Sequence, residues 1–278
     1  MGKRLGEASL RYDTGLFPSM PTAWVVVPCY NEEARLPVAA IDAFLRSHAD
    51  IHICLVDDGS RDGTRRVLDA IAAGFPAQVT VLACRGNQGK AEAVRLGVLH
   101  GLHGLPHSQA TMFGYWDADL STPLGEIDLL VRTMDARADG IAAMGCRVKR
   151  LGADIKRSAV RHYLGRVFAT FASITLRLAV HDSQCGAKLF RREAAAIAFK
   201  DPFESQWLFD VEILARLRNH FSAERVRQNV IEVPLQVWTH LDGSKLRARH
   251  YVLAPLELWR IARRYNRRAK PAGGSPAA

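Results

Sequence analysis

Asp117-Ala118-Asp119 directly follows the apolar run 112–116, MFGYW. Two carboxylates at i and i+2 on an extended segment point to the same side, because side chains alternate along a strand. Two acids without His or Cys suit a hard divalent cation such as Mg²⁺ or Mn²⁺, whose shell is oxygen and commonly includes phosphate and water. The same pair ahead of Pro123 also reads as a helix N-cap. Three further polar clusters stand behind apolar runs: Pro28-Cys29-Tyr30-Asn31-Glu32, Asp57-Asp58-Gly59-Ser60 and Arg85-Gly86-Asn87-Gln88-Gly89-Lys90. A carboxylate in such a place accepts hydrogen bonds from a base edge or ribose hydroxyls, or else caps the next helix, and both readings of Asn31, Glu32, Asp57 and Asp58 stand at this level. The third cluster resembles a phosphate-cradling loop at a helix N-terminus. It lacks the G-x-x-x-x-G-K-[ST] spacing, and it does not follow the first strand as a dinucleotide fingerprint would.

These clusters need strands to bring them together. Apolar runs predict strands at 23–27, 51–56, 79–83, 112–116 and 141–145, and amphipathic spacing predicts helices at 36–46, 64–73 and 91–102. Strands alternating with helices argue for βαβ units and a mainly parallel sheet. Ligands of such sheets bind at the carboxyl ends of the strands, so four polar strand ends point to one shared site. The second half predicts a long, basic, amphipathic helical region over 155–179 and a polar turn, Asp182 to Gly186, running into a strand. A helix over 207–218, a strand over 230–237, a turn at 242–245 and a final basic helix over 251–268 follow. The expected organisation is an N-terminal extension (1–21), one α/β domain (22–245), a basic amphipathic C-terminal helix (246–270) and a disordered tail (271–278).

Composition narrows the function. Of 278 residues, 48% are hydrophobic and 24% charged, as in an ordinary globular protein and unlike a disordered one. The net charge is +10, and most of the excess lies beyond Arg147, which suits a polyanionic ligand or an anionic membrane face. Nucleic acid is not expected as a partner: no helix-turn-helix, RRM or zinc motif is present, and aromatics are not interleaved with the basic residues. Five scattered cysteines without a CxxC pair fit a reducing compartment, and neither a disulfide framework nor a zinc site. The first 15 residues contain no apolar core of a signal peptide. Arg161, Arg166 and Arg177 interrupt the apolar stretch 160–180, against a transmembrane helix. The expectation is a cytoplasmic protein, with peripheral attachment at the inner membrane face as one arrangement. In that arrangement Arg157, Arg161, Arg166, Arg260, Arg263, Arg264, Arg267 and Arg268 would meet the bilayer. Phe168, Phe171, Ile174, Leu256 and Trp259 would then dip into the interface; the alternative for Phe168, Phe171 and Ile174 is the core.

VVVPCYNEE, CLVDDGSRDGT, RGNQGKAEAVRLG and WDADLSTP together resemble the family 2 glycosyltransferases of GT-A fold. HDSQCGAKLFRR, WLFDVEIL and VPLQVWTHLDGSKL resemble, more narrowly, the branch of dolichyl-phosphate glucosyltransferases and polyprenyl-phosphate sugar synthases. The similarity runs from about Ala23 to Arg268. Two departures stand out: Cys146 where the family usually has serine, and Ala187 where it usually has phenylalanine.

The resemblance implies an inverting, metal-dependent hexosyltransferase using a nucleotide-sugar donor, with UDP-glucose favoured over GDP-mannose. The implied acceptor is a lipid phosphate, dolichyl or polyprenyl, with a soluble or polysaccharide hydroxyl as the alternative. It assigns Pro28, Tyr30, Asn31, Glu32, Asp57 and Asp58 to the nucleotide, and Lys90 and Asp117 to its uracil–ribose side. Asp119, with Asp117 beside it, would hold Mg²⁺ or Mn²⁺ on the diphosphate, and Arg147 would meet phosphate. Gln184, Lys188, Trp207, Ser244 and Lys245 would line the acceptor and phosphate side. Asp182 and Asp210 are the candidates for a base if the acceptor is a hydroxyl. A lipid phosphate is already ionised at neutral pH and needs no strong base.

Overall fold

The computed structural model describes residues 22–104, 110–156, 159–239 and 248–266. The strands are β1 (Ala23–Cys29), β2 (Ile51–Asp57), β3 (Val79–Ala83), β4 (Met112–Trp116), β5 (Ala142–Cys146), β6 (Asp154–Lys156), β7 (Ala187–Arg191), β8 (Val230–Pro234) and β9 (Val237–Thr239). The α-helices are α1 (Val38–Ser47), α2 (Thr64–Gly74), α3 (Lys90–His103), α4 (Ile127–Asp135), α5 (Ala159–Leu176), α6 (Arg192–Ala198), α7 (Phe209–Phe221), α8 (Ala223–Asn229) and α9 (Ala248–Asn266). The expected extension 1–21 and tail 271–278 lie outside the described residues, as do Ser244 and Lys245.

A seven-stranded sheet in the order β3-β2-β1-β4-β7-β5-β8 forms the centre. Its pairings are parallel except at β7, which is antiparallel to both β4 and β5. The strands are apolar on both faces because helices cover both. In β1, Trp24 and Val26 pack into the layer with α3, α6 and α7, while Ala23, Val25 and Val27 pack on the other side with α1 and α2. The expected, mostly parallel sheet flanked by helices is therefore present.

Two predicted elements are divided. The helical region expected over 155–179 opens with β6, which pairs in parallel with β9, and the helix begins only at Ala159. The strand expected over 230–237 breaks after Pro234, which has no N–H to donate to a ladder. At the break the buried Glu126 carboxylate accepts the Gln236 and Val237 N–H groups at 3.1 and 2.9 Å. Helix α9 packs against α5 and α7. No described helix is long and apolar enough to cross a membrane.

Candidate active site

The parallel strands β1, β2 and β4 end on one edge of the sheet. Because β7 runs the other way, with Ala187 opposite Trp116, its entry loop 182–186 lies at that same edge. Strand β5, antiparallel to β7, delivers Arg147 there too. One reversed strand thus brings Asp117, Arg147 and Asp182 to a common rim.

On the β1–β2 side most polar oxygens hold the loops in shape. Asn31, at φ +50°, accepts from Arg61 N–H through Oδ1 at 2.9 Å, and its own N–H donates to Ser60 Oγ at 3.0 Å. The buried Glu32 carboxylate forks onto Arg35, both contacts at 2.8 Å. Asp57 accepts from Ser60 N–H at 2.9 Å. Pro28 and Tyr30 are half-buried beside them. Asp58 is buried and accepts the Gln88 and Gly89 N–H groups at 2.7 and 2.9 Å. Two N–H groups of the glycine-bearing loop, read from sequence as resembling a phosphate cradle, are therefore spent here on a carboxylate of the chain itself. Burial pushes the Asp58 carboxyl up, against the lowering effect of those two hydrogen bonds. Gly59, at φ +70°, makes the close approach possible: a Cβ there would lie 2.5 Å from the Gly86 backbone.

On the β4 side, Lys90 opens α3 and its Nζ donates to Asp117 Oδ1 at 2.5 Å. Burial works to lower the Lys90 pKa, and the carboxylates of Asp117, Asp210 and Asp119 outweigh it, so the ammonium is held above the ordinary lysine value. Asp119 accepts from Ser121 N–H at 2.9 Å, and Ser121 O accepts from Thr239 N–H at 2.9 Å, which seats the end of β9 beside the pair. Among the described residues no three His, Cys, Asp or Glu side chains converge into a cation cage. The Asp117–Asp119 pair, oxygen donors only, fits a hard cation that takes the rest of its shell from a diphosphate and water. With Asp117 paired to Lys90, Asp119 is the better placed of the two for that role.

Across the rim lies a cavity of about 290 Å³, lined among others by Arg147, Lys149, Phe168, Asp182, Ser183 and Gln184. Arg147 forks onto Asp182 with Nε to Oδ2 and Nη2 to Oδ1, each 2.7 Å, and its backbone N–H adds a third bond at 3.0 Å. Burial opposes the guanidinium charge, and the Asp182 carboxylate overrides it. Asp182 thereby has its oxygens committed to Arg147, which sets it apart from a ready general base. Ser183 Oγ, on a residue only 1% exposed, and Gln184 Nε2 have no hydrogen-bond partner among the described residues. Trp207 packs its ring against Phe168 at 5.7 Å.

Two residues expected on the acceptor or catalytic side lie beneath it. Lys188 is fully buried, and its Nζ donates to Ser183 O at 2.9 Å, to Cys185 O at 2.5 Å and to the Asp210 carboxylate. The Tyr115 hydroxyl donates to that same carboxylate. Burial, reinforced by the Asp210 charge, pushes the Tyr115 phenol well up. Lys188 therefore does not open onto the cavity, and Asp210 is a buried partner of two donors. Sequence reasoning passed over Tyr115, Ser183 and Glu232, whose carboxylate accepts the His181 and Asp182 N–H groups at 2.9 and 2.7 Å. Glu232 left one signal, a carboxylate in the middle of an otherwise apolar strand, whereas nothing local marks Tyr115 or Ser183.

Comparison with known proteins bears on the family and the fold. The model of "Glycosyl transferase family 2" matches residues 24–197. The chain is 32% identical over 236 residues to a dolichyl-phosphate beta-glucosyltransferase of Dictyostelium discoideum, covering 80% of this chain and 68% of that protein. It is 32% identical over 243 residues to the Saccharomyces cerevisiae protein of the same name, with the same coverage of 80% and 68%. The Homo sapiens protein of that name is 30% identical over 250 residues, 82% of this chain and 73% of that one. Among solved structures, glucosyl-3-phosphoglycerate synthase from Mycobacterium tuberculosis with uridine diphosphate superposes with a TM-score of 0.61 at 16% identity, over 87% of this chain and 80% of that one. The same enzyme with Mn²⁺, uridine diphosphate and glucosyl-3-phosphoglycerate gives 0.57 at 17% identity, over 89% and 78%. These two likenesses speak for the fold.

Proposed function

The chain belongs to glycosyl transferase family 2, and on that premise we propose that it moves glucose from UDP-glucose to a dolichyl or polyprenyl phosphate with inversion at the anomeric carbon. The observation that carries this reading is the pairing of a carboxylate rim, Asp117 and Asp119, with a cavity walled by Arg147 and Lys149 across loop 182–186. The relatives at about one-third identity are named for the same transfer. The acceptor phosphate oxygen attacks C1 of the sugar from the face opposite the leaving diphosphate. The new C1–O bond forms as the old one breaks, and the nucleoside diphosphate leaves with the electron pair.

In this reading Asp119 would hold Mg²⁺ or Mn²⁺, and such an ion would supply neutralisation of charge on the leaving diphosphate. Lys90 keeps Asp117 oriented towards the nucleoside. Arg147, fixed in place by Asp182, and Lys149 stand in the wall that meets the acceptor phosphate. An ionised phosphate makes a base unnecessary, which accords with Asp182 and Asp210 both being committed to cations.

The surface around the cavity supports a membrane-borne acceptor. Helix α5, which supplies Phe168 to the cavity wall, leaves Phe171 57% and Ile174 68% exposed. Neighbouring α9 leaves Leu253, Leu256 and Trp259 exposed beside Arg260, Arg263 and Arg264. Phe171 and Ile174 are thus surface residues, and Phe168 is packed. Arg157, Arg267 and Arg268 lie outside the described residues, as do the side chains of Arg161 and Arg166.

The test is product analysis by mass spectrometry with UDP-glucose or GDP-mannose as donor, and polyprenyl phosphate or a soluble sugar as acceptor, with EDTA and then added Mn²⁺. Glucosyl polyprenyl phosphate formed only with metal, and abolished by Asp119→Asn, is expected. Near-normal turnover of the Asp119→Asn enzyme would overturn the metal assignment, and transfer to a sugar hydroxyl alone would overturn the lipid acceptor.

A further inference from the structure

Loop 182–186 lies between Asp117 and the cavity. On one face, Gly186 O accepts from Asp117 N–H at 3.0 Å, and the glycine lies so close that a Cβ would sit 2.0 Å from the Asp117 carboxylate. On the other face, Asp182 grips Arg147, and Ser183 Oγ and Gln184 Nε2, on residues that line the cavity, are buried with no hydrogen-bond partner among the described residues. The backbone between these faces is tied at its start by Glu232, which accepts the Asp182 N–H, and from below by Lys188. An ammonium carries three donors and no acceptor. Here they go to Ser183 O, Cys185 O and Asp210. Asp210 in turn stands at the start of α7 and takes the Tyr115 hydroxyl from β4.

We propose that Lys188 is a positioning residue, anchored by Asp210, that sets loop 182–186 and with it Ser183 and Gln184, which line the cavity. The claim that this cavity receives the acceptor rests on the function proposed above; the claim that Lys188 sets the loop does not.

Lys188→Met alone leaves Asp210 buried without its cation and is expected to lower the melting temperature. Lys188→Met/Asp210→Asn removes both charges and is expected to recover most of that loss while still lacking the tie to the Ser183 and Cys185 carbonyls. Cys185 reports on the loop directly: its thiol is fully buried, and burial pushes its pKa up to about 11. In the full-length double variant, maleimide labelling of Cys185, read by peptide mass spectrometry against the half-buried Cys84, is expected to speed up roughly tenfold or more. The KM for polyprenyl phosphate is expected to rise roughly tenfold, on the scale of one lost hydrogen bond, with the KM for UDP-glucose little changed. Lys188→Arg, which keeps a charge and donors, is expected to restore part of the protection. Wild-type protection of Cys185 in the double variant, or equal shifts in both KM values, would overturn the proposal. If the wild type transfers nothing to polyprenyl phosphate, the acceptor reading fails, and the labelling still decides the role of Lys188.

Discussion

Gly186 shows how much one missing Cβ can decide. Its carbonyl closes the β4–β7 pairing onto Asp117, and its Cα faces the Asp117 carboxylate with no room for a methyl group. Gly186→Ala must displace Asp117, and with it the partner Lys90. A misplacement of about 1 Å at a reacting group costs on the order of 10²-fold in rate, so kcat/KM for UDP-glucose is expected to fall by that order while the melting temperature moves little. Steady-state kinetics beside a thermal melt checks this, and an unchanged kcat/KM would separate Asp117 from donor binding. Among the residues assigned from sequence, Asp117 and Asp119 lie at the rim behind the end of β4, whereas Asp58 is buried under the Gln88 and Gly89 N–H groups. Lys188 and Asp210 are buried and paired with each other: their positions in a motif say nothing of whether the side chain turns towards the cavity or beneath it.

Among the elements, α7 is the hub. Glu212, fully buried, accepts from Arg216 Nη2 at 2.9 Å, from the Tyr265 hydroxyl of α9 at 2.7 Å and from Glu204 N–H at 2.8 Å. Arg216 donates onward to the Ala198, Asp201 and Pro202 carbonyls, closing the α6–α7 connection. Arg218 caps α5 through Leu176 O at 2.7 Å, and burial lowers its pKa. Breaking a buried ion pair on one side costs about 3–5 kcal/mol, because the remaining charge stays buried and unpaired. Glu212→Leu is expected to lose stability of that order in urea unfolding. Tyr265→Phe removes a hydrogen bond to a charged group, worth about 1.5–3 kcal/mol, and should loosen α9 selectively. Hydrogen exchange confined to α9 in Tyr265→Phe would show this, and uniform exchange across the sheet would contradict it.

At the scale of the whole molecule, α5 and the α9 packed on it expose apolar side chains, and α9 also exposes Arg260, Arg263 and Arg264. Arg263 lies 5.4 Å over the Trp259 ring, and Arg264 is paired with Glu204, so cations and an exposed aromatic share one surface. Each basic residue near an anionic bilayer contributes about 1 kcal/mol, falling with ionic strength. Phe171→Ser/Trp259→Ser is expected to reduce co-sedimentation with phosphatidylserine vesicles while leaving the melting temperature close to wild type. Binding that persists in the double variant, or is insensitive to salt in the wild type, would place the contact elsewhere.

The sequence by itself determined the alternation of strands and helices, the parallel sheet, and the carboxylate pair at the end of β4. Each of these is written in local periodicity, and apolar runs such as 51–56 favour burial on both faces. The break at Pro234 was also local and legible in principle, since a residue without an N–H cannot continue a ladder. Only the tertiary structure decided which carboxylates face the site. Asp58 and Asp119 look alike in sequence, each at the end of a strand. One is buried under the N–H groups of a loop thirty residues away, and the other stays at the rim. Only the reversed direction of β7 brings residues 182–186 opposite Asp117, a relation across nearly seventy positions of chain that no local pattern encodes. Hydrogen-bond partners at such distances are set by topology and packing, and these divide the polar residues into those that meet a ligand and those that hold the site in shape.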